Sequence, residues 1–341
     1  MSIEFFVECD DVARVASDVL LLKYAGGFYG ADRVVAEILI AGGASREDDI
    51  RPEAGHYALV ESRNLLAPKR VLFVGTKDLY DFSYDDMVVF ARKAIAILSK
   101  ERISPKSVTC TIHGPGYGLD PIESLQSLIR GFRQGFDAHP TVGTEQITFV
   151  EYNSRRAKLL EETVYSIRIS AVTGAGTRRQ QLSSPKAGGE LSGEELLANF
   201  PPEATAAKEA PPSAPKGHIF VAMPFSETFE DVYEFGIYAP VRKCGFICEK
   251  VDETSFTGDI MQRVRERIET AKLVIADLTE SRPNVYLEVG YAWGKGVPVV
   301  FLARKDERLH FDVSTHRCIF YKNITQLARD LDKLISNLPI S

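Results

Sequence analysis

The chain is short of positive charge. Its 41 Lys and Arg residues face 47 Asp and Glu, a formal net charge of −6, so the basic footprint that neutralises nucleic-acid phosphates is missing. No apolar run reaches the roughly 18 residues that a membrane span requires. The first residues, Met1-Ser2-Ile3-Glu4, carry neither a basic start nor an apolar signal core. Cysteine is sparse: five residues, an odd number at no metal-like spacing, as suits reduced thiols in a cytoplasm. Cys244 and Cys248 stand four apart, but no His or Cys pair adjoins them, and they read as small buried apolar residues. None of the 6 histidines lies at ligand spacing with another, which leaves metal catalysis without support. The expectation is a cytoplasmic protein without membrane contact, metal or bound cofactor, and with nucleic acid an unlikely partner.

What is present is an α/β pattern, twice. With 341 residues, 45% of them hydrophobic and 26% charged, the chain has room for two ordinary soluble domains. Residues 1–168 alternate strand and helix signals. The strand-like runs are 5–7, 19–22, 57–60, 70–74, 108–112 and 146–150; amphipathic helices are expected over 85–100 and 122–135. Two glycine-rich loops each follow a strand and open a helix: Gly26-Gly27-Phe28-Tyr29-Gly30 and Gly114-Pro115-Gly116-Tyr117-Gly118. Glycine there allows backbone N–H groups to wrap an anion, or simply makes a tight turn. Residues 169–216 turn polar and rich in Pro, Ala and Gly, a linker with one expected helical turn near Glu194 to Asn199.

Residues 217–341 form the second domain, with strands expected over 218–223, 246–248, 273–276, 297–302 and 318–321 and helices between them. That alternation requires parallel pairing and gives a small flavodoxin-like sandwich. Its centre is the buried strand Leu273–Ala276, closed by Asp277, and the helix Asn284–Gly294. This helix is apolar nearly all round except for one ionisable carboxylate, Glu288. A carboxylate in such a helix costs several kcal/mol unless it is paired, protonated or open to a pocket. Ligands of open parallel sheets sit at the carboxyl ends of strands, where Asp277 and Glu288 would meet. Alternatively, Asp277 caps the turn and Glu288 pairs with a Lys or Arg from elsewhere.

Two resemblances extend this reading. The run from Asp18 through Gly30, with Lys69 to Gly75, resembles the N-terminal macro-like domain of cytosolic leucine aminopeptidases, and the second glycine loop resembles the phosphate loop of macro domains. This implies a nucleotide-sensing pocket lined by Gly26, Gly27, Gly114, Gly116 and Gly118. The second domain, through Val221-Ala222-Met223-Pro224-Phe225, Ala276-Asp277-Leu278-Thr279, Pro283 to Tyr286, Glu288 to Ala292 and Phe311-Asp312, resembles the nucleoside 2-deoxyribosyltransferase-like superfamily and the related TIR domains.

The second resemblance implies that Glu288 is the nucleophile or oxocarbenium stabiliser as an N-glycosidic bond breaks, retaining-fashion, with Asp277 on the ribose or on the leaving base's proton. Asn284 would touch a hydroxyl or nucleobase, or cap its helix. Met223, Pro224 and Phe225 would wall the base, or pack the core; Tyr291 is a substrate contact or core, and Trp293 reads as core. Asp252 and Asp259 are weaker candidates. A sensor-like domain joined by a linker to a TIR-like glycosidase resembles bacterial antiphage effectors, and three functions are open. The first is an NAD glycohydrolase of bacterial antiphage defence, with NAD as substrate rather than cofactor. It would be switched by a nucleotide or by self-association, as a homo-oligomer or with a partner protein of a defence system. The second is a nucleoside or nucleotide deoxyribosyltransferase or N-hydrolase. The third is a non-catalytic nucleotide-binding scaffold.

Overall fold

The computed structural model describes residues 3–115, 118–179, 217–251, 260–314 and 316–337. The expected helical turn near Glu194, Gly116 of the second loop, Asp252 and Asp259 lie outside the described residues. Two sheets organise the chain, each the centre of a helix-covered α/β unit.

The first unit runs β1 (Glu4–Glu8), β2 (Val19–Tyr24), α1 (Gly30–Ala41), β3 (Tyr57–Glu61), β4 (Arg70–Gly75), α2 (Tyr84–Lys100), β5 (Ser107–Thr111), α3 (Pro121–Ala138), β6 (Gln146–Val150) and α4 (Ser154–Arg179). Strand order is β1-β6-β5-β2-β4-β3, parallel except where β3 meets β4. Alternation along β2 sorts its side chains. Val19 and Leu21 pack with α2 and α3, whereas Leu20 and Leu22 pack with α1. Ser83 and Asp86 form a reciprocal capping box that starts α2, and Asp120 caps α3 ahead of Pro121.

Composition gives no sign of α4. Its last residues fall in the stretch that reads as linker, yet its first turns carry Ala157, Leu160 and Val164 into the structure as buried residues. Those three positions follow helical spacing but are diluted by charge, and only packing selects them.

The second unit runs β7 (His218–Ala222), α5 (Glu227–Asp231), a π-helical segment Val232–Tyr238, α6 (Ala239–Lys243), β8 (Ile247–Glu249), α7 (Ile260–Thr270), β9 (Leu273–Asp277), α8 (Pro283–Gly294), β10 (Val299–Arg304), α9 (Phe311–Ser314), β11 (Cys318–Tyr321) and α10 (Ile324–Ser336). All pairings are parallel, in the order β11-β10-β9-β7-β8. This is the flavodoxin-like order expected from the alternation. The π segment alters the helical spacing, and Phe235, which fits the apolar pattern of an α-helix, is 55% exposed.

A buried polar contact joins the two units. The Tyr84 hydroxyl accepts from the Asp120 backbone N–H at 2.9 Å and donates to Glu249 at 2.8 Å. Asp120, fully buried, also accepts from the Tyr238 hydroxyl at 3.3 Å and the Cys248 N–H at 3.4 Å, with Arg242 at 3.6 Å. Its carboxylate therefore occupies one free N–H of the edge strand β8, a strand side that is otherwise open to unwanted pairing. Ile122 and Leu159 of the first unit pack on the core of the second.

Candidate functional site

Each sheet has one place where consecutive connections leave in opposite directions. In the second unit, β7 leads outward to β8 while β9 leads the other way to β10, so a crevice opens at the carboxyl ends of β7 and β9. Met223-Pro224-Phe225 leave β7 there, and Asp277 ends β9. Helix α8 starts six residues beyond Asp277, with Pro283 at its first position.

Along α8 the buried residues are Val285, Glu288, Val289 and Ala292, one helical stripe facing the sheet. Glu288 thus stands on the core-facing side, 7% exposed, on the stripe it shares with Val285, Val289 and Ala292. It is the sixth residue of the helix, so the favourable field of the helix amino end, confined to the first turn, adds little. The helix is not buried all round as its composition suggests: Leu287 is 59% and Trp293 41% exposed. A helix on the flank of a sheet buries one stripe only.

Asp277 is fully buried, and both oxygens are engaged. One accepts from the Thr279 N–H at 2.9 Å, the other from the Tyr321 hydroxyl at 2.8 Å. Burial raises its pKa; the bonds from Thr279 and Tyr321 and the charge of Arg304 oppose that rise. Its observed partners make it the turn cap that the sequence offers as the alternative role. Of the remaining residues, Met223 and Pro224 are buried and Met223 belongs to the core, while Phe225 is half-buried below Lys250, 5.9 Å from its ring centre. The half-buried Asn284 makes no side-chain hydrogen bond among the described residues, and it does not cap the helix, because Arg282 holds that position. Tyr291 turns toward α7, where its hydroxyl donates to Glu269, with Lys295 at 5.5 Å from its ring. Trp293 stacks on His316 at 4.8 Å.

In the first unit the crevice lies between the paired strands β2 and β5, and both glycine loops leave from it. Gly26 and Gly27 follow β2 on the outside; a Cβ on Gly26 would lie 2.2 Å from an Asp78 oxygen. Gly114 and Gly118 follow β5 and are buried. Gly118 has φ +92° and faces the second unit so closely that a Cβ would lie 2.8 Å from Val251 Cγ2. The second loop therefore serves the contact between the units, whatever else it binds.

Sequence reasoning missed what lies beneath these loops. Lys23 of β2 and Asp32 of α1 form an ion pair at 2.7 Å with side chains 3% and 4% exposed. Burial raises the Asp32 pKa and Lys23 opposes this, while burial and the charge of Lys23 hold His113 well below the ordinary imidazole range. A lysine inside the strand Val19–Tyr24 is the one signal that could have found the pair. Among the described residues no group of three His, Cys, Asp or Glu could hold a metal ion, and no helix is long and apolar enough to cross a membrane.

No protein-family model matches the chain, and no curated protein matches it. Solved structures do. A Trypanosoma brucei macrodomain in complex with ADP-ribose is 15% identical, over 47% of this chain and 69% of its own, with a TM-score of 0.38. An Oceanobacillus iheyensis macrodomain is 13% identical, over 48% and 92%, with a TM-score of 0.39. A Clostridium botulinum CMP N-glycosidase is 20% identical, over 34% of this chain and 98% of its own, with a TM-score of 0.29. With every TM-score below 0.5, these likenesses assign neither family nor activity to the chain.

Proposed function

We propose that the protein is an N-glycosidase of a nucleotide, with Glu288 as its reacting carboxylate and NAD as its substrate. One observation carries the reading: a carboxylate 7% exposed sits on the sheet-facing stripe of α8, the helix that leaves the crevice between β7 and β9.

The substrate follows from Asp277. With both oxygens engaged and no exposure, it is poorly placed to hand a proton to a leaving base. Nicotinamide needs none. As its bond to the ribose C1′ breaks, the electron pair passes to the pyridinium nitrogen and the base departs neutral. Glu288 either bonds to C1′ or shields the cation there. Water then adds to C1′, releases a proton to solvent and restores the carboxylate. Asp277 acts in this scheme as a positioning residue through Thr279 and Tyr321. A cytosine or purine leaving group would require a proton donor as well. The first unit, read as a nucleotide sensor, would make this a signal-switched activity such as one of antiphage defence.

The test is nicotinamide release from NAD by the full chain and by Glu288→Gln, with CMP and deoxynucleosides in parallel. Release by the native protein, lowered about 10³-fold or more in the variant, is the expected result. Base release from CMP alone would move the substrate. Release that survives in Glu288→Gln would remove Glu288 from the chemistry.

A further inference from the structure

The two units enclose a cleft that lies apart from Glu288. It holds about 150 Å³ and is walled by Pro115 and Leu119 of the second glycine loop, by Leu159 on α4 and by Tyr233 of the π segment. That volume suits a planar ring rather than an ion. Three kinds of polar group stand around this apolar wall.

Cations come first. Glu151 grips the Arg156 guanidinium through Nε at 2.9 Å and Nη2 at 2.8 Å. Nη1 is left without a hydrogen bond among the described residues, on a side chain 33% exposed. Lys250 also lines the cleft, with its ammonium 4.4 Å from the Tyr233 ring centre. Arg155 is spent on Asp231 at 2.5 Å and Glu230 at 3.5 Å. Second, Glu234 lines the same wall and makes no ion pair among the described residues. A carboxylate is the usual partner of a ribose diol, as in dinucleotide sites. Third, the Asn153 side-chain oxygen accepts from the Arg156 N–H at the start of α4, which leaves its amide nitrogen for a ligand.

From this we infer that the cleft binds a nucleoside phosphate across both units, with the ring against Leu119, Leu159 and Tyr233, the ribose on Glu234 and the phosphate on Arg156 and Lys250. A simple anion would meet Glu230 and Glu234 without the compensating ring contacts, and a nucleoside would leave Arg156 unanswered. The mixed charge of the lining selects a ligand with both parts. Because the walls belong to different units, a bound nucleotide stabilises their docking, which couples it to the β8 edge beside Asp120. This inference stands without the glycosidase reading.

The experiment is calorimetric titration of the full chain carrying Glu288→Gln, with AMP, CMP, adenosine and inorganic phosphate as probes, and hydrogen exchange to locate the protected peptides. At least one nucleotide should bind, about tenfold or more tighter than adenosine or phosphate. Protection should fall on residues 153–160 and 230–238. Arg156→Ala should weaken that binding about tenfold. Leu159→Trp should do the same by filling the cleft with the charges intact, and circular dichroism shows whether each variant is folded. Failure of both nucleotides to bind, equal affinity for inorganic phosphate, protection elsewhere, or indifference to both folded variants would overturn the inference. None of these outcomes depends on base release, which reports the other site.

Discussion

Tyr84→Phe removes one oxygen atom from the contact between the units, and its cost can be worked from the partners left behind. The hydroxyl is the acceptor for the Asp120 N–H at 2.9 Å and the donor to Glu249 at 2.8 Å. Burial and the charges of Glu249 and Asp120 raise its pKa well above the ordinary phenol value, so it remains a donor throughout the accessible pH range. Without it, a backbone N–H in the contact is orphaned, at about 1–2 kcal/mol. Glu249, 1% exposed, loses one of its donors but keeps Arg267 at 3.2 Å and His218 at 3.5 Å, which places its loss near the lower end, about 1 kcal/mol. The total is about 2–3 kcal/mol. Urea unfolding followed by circular dichroism measures it, and a cycle with Glu249→Ala isolates the pair. A coupling of about 1 kcal/mol is expected. Single-variant costs that add to within about 0.5 kcal/mol, or a Tyr84→Phe protein as stable as the native one, would refute the docking described above.

The other perturbations probe buried charge. Lys23→Met strands Asp32 and should cost about 3–5 kcal/mol, whereas Lys23→Met with Asp32→Leu should recover much of that loss in the same urea assay. Asp277 has its folded pKa raised, so its contribution is present below the unfolded carboxylate range and is lost as pH rises through the folded value. Asp277→Asn should therefore gain stability relative to the native protein as pH rises from below to above the ordinary carboxylate range, read from melting curves across that range. A constant difference across the range would show that Asp277 does not titrate in this way.

Strand periods and glycine loops were legible because they are local. Each strand run that the residues predicted is present, and the parallel five-strand order of the second unit follows from alternation and right-handed crossovers. The odd carboxylate of Asn284–Gly294 was legible for the same reason: a single Glu breaks an apolar pattern. Helix α4 was not, since its buried residues Ala157, Leu160 and Val164 are separated by charges whose neighbours only the fold supplies.

Tertiary structure decided the roles. Asp277 caps its turn with a partner that no local pattern reveals, Tyr321, 44 residues away in sequence and 2.8 Å away in space. Nothing in the spacing of Gly118 announces that it admits a neighbour, and only the fold brings Val251 of the other unit against it. The Lys23–Asp32 pair and the Asp120 network join residues from different elements, with no shared spacing to betray them. A sequence records which faces must be buried, because burial follows periods of two and 3.6. It does not record which buried polar groups meet. That depends on how the elements of each unit, and the two units, are set against each other.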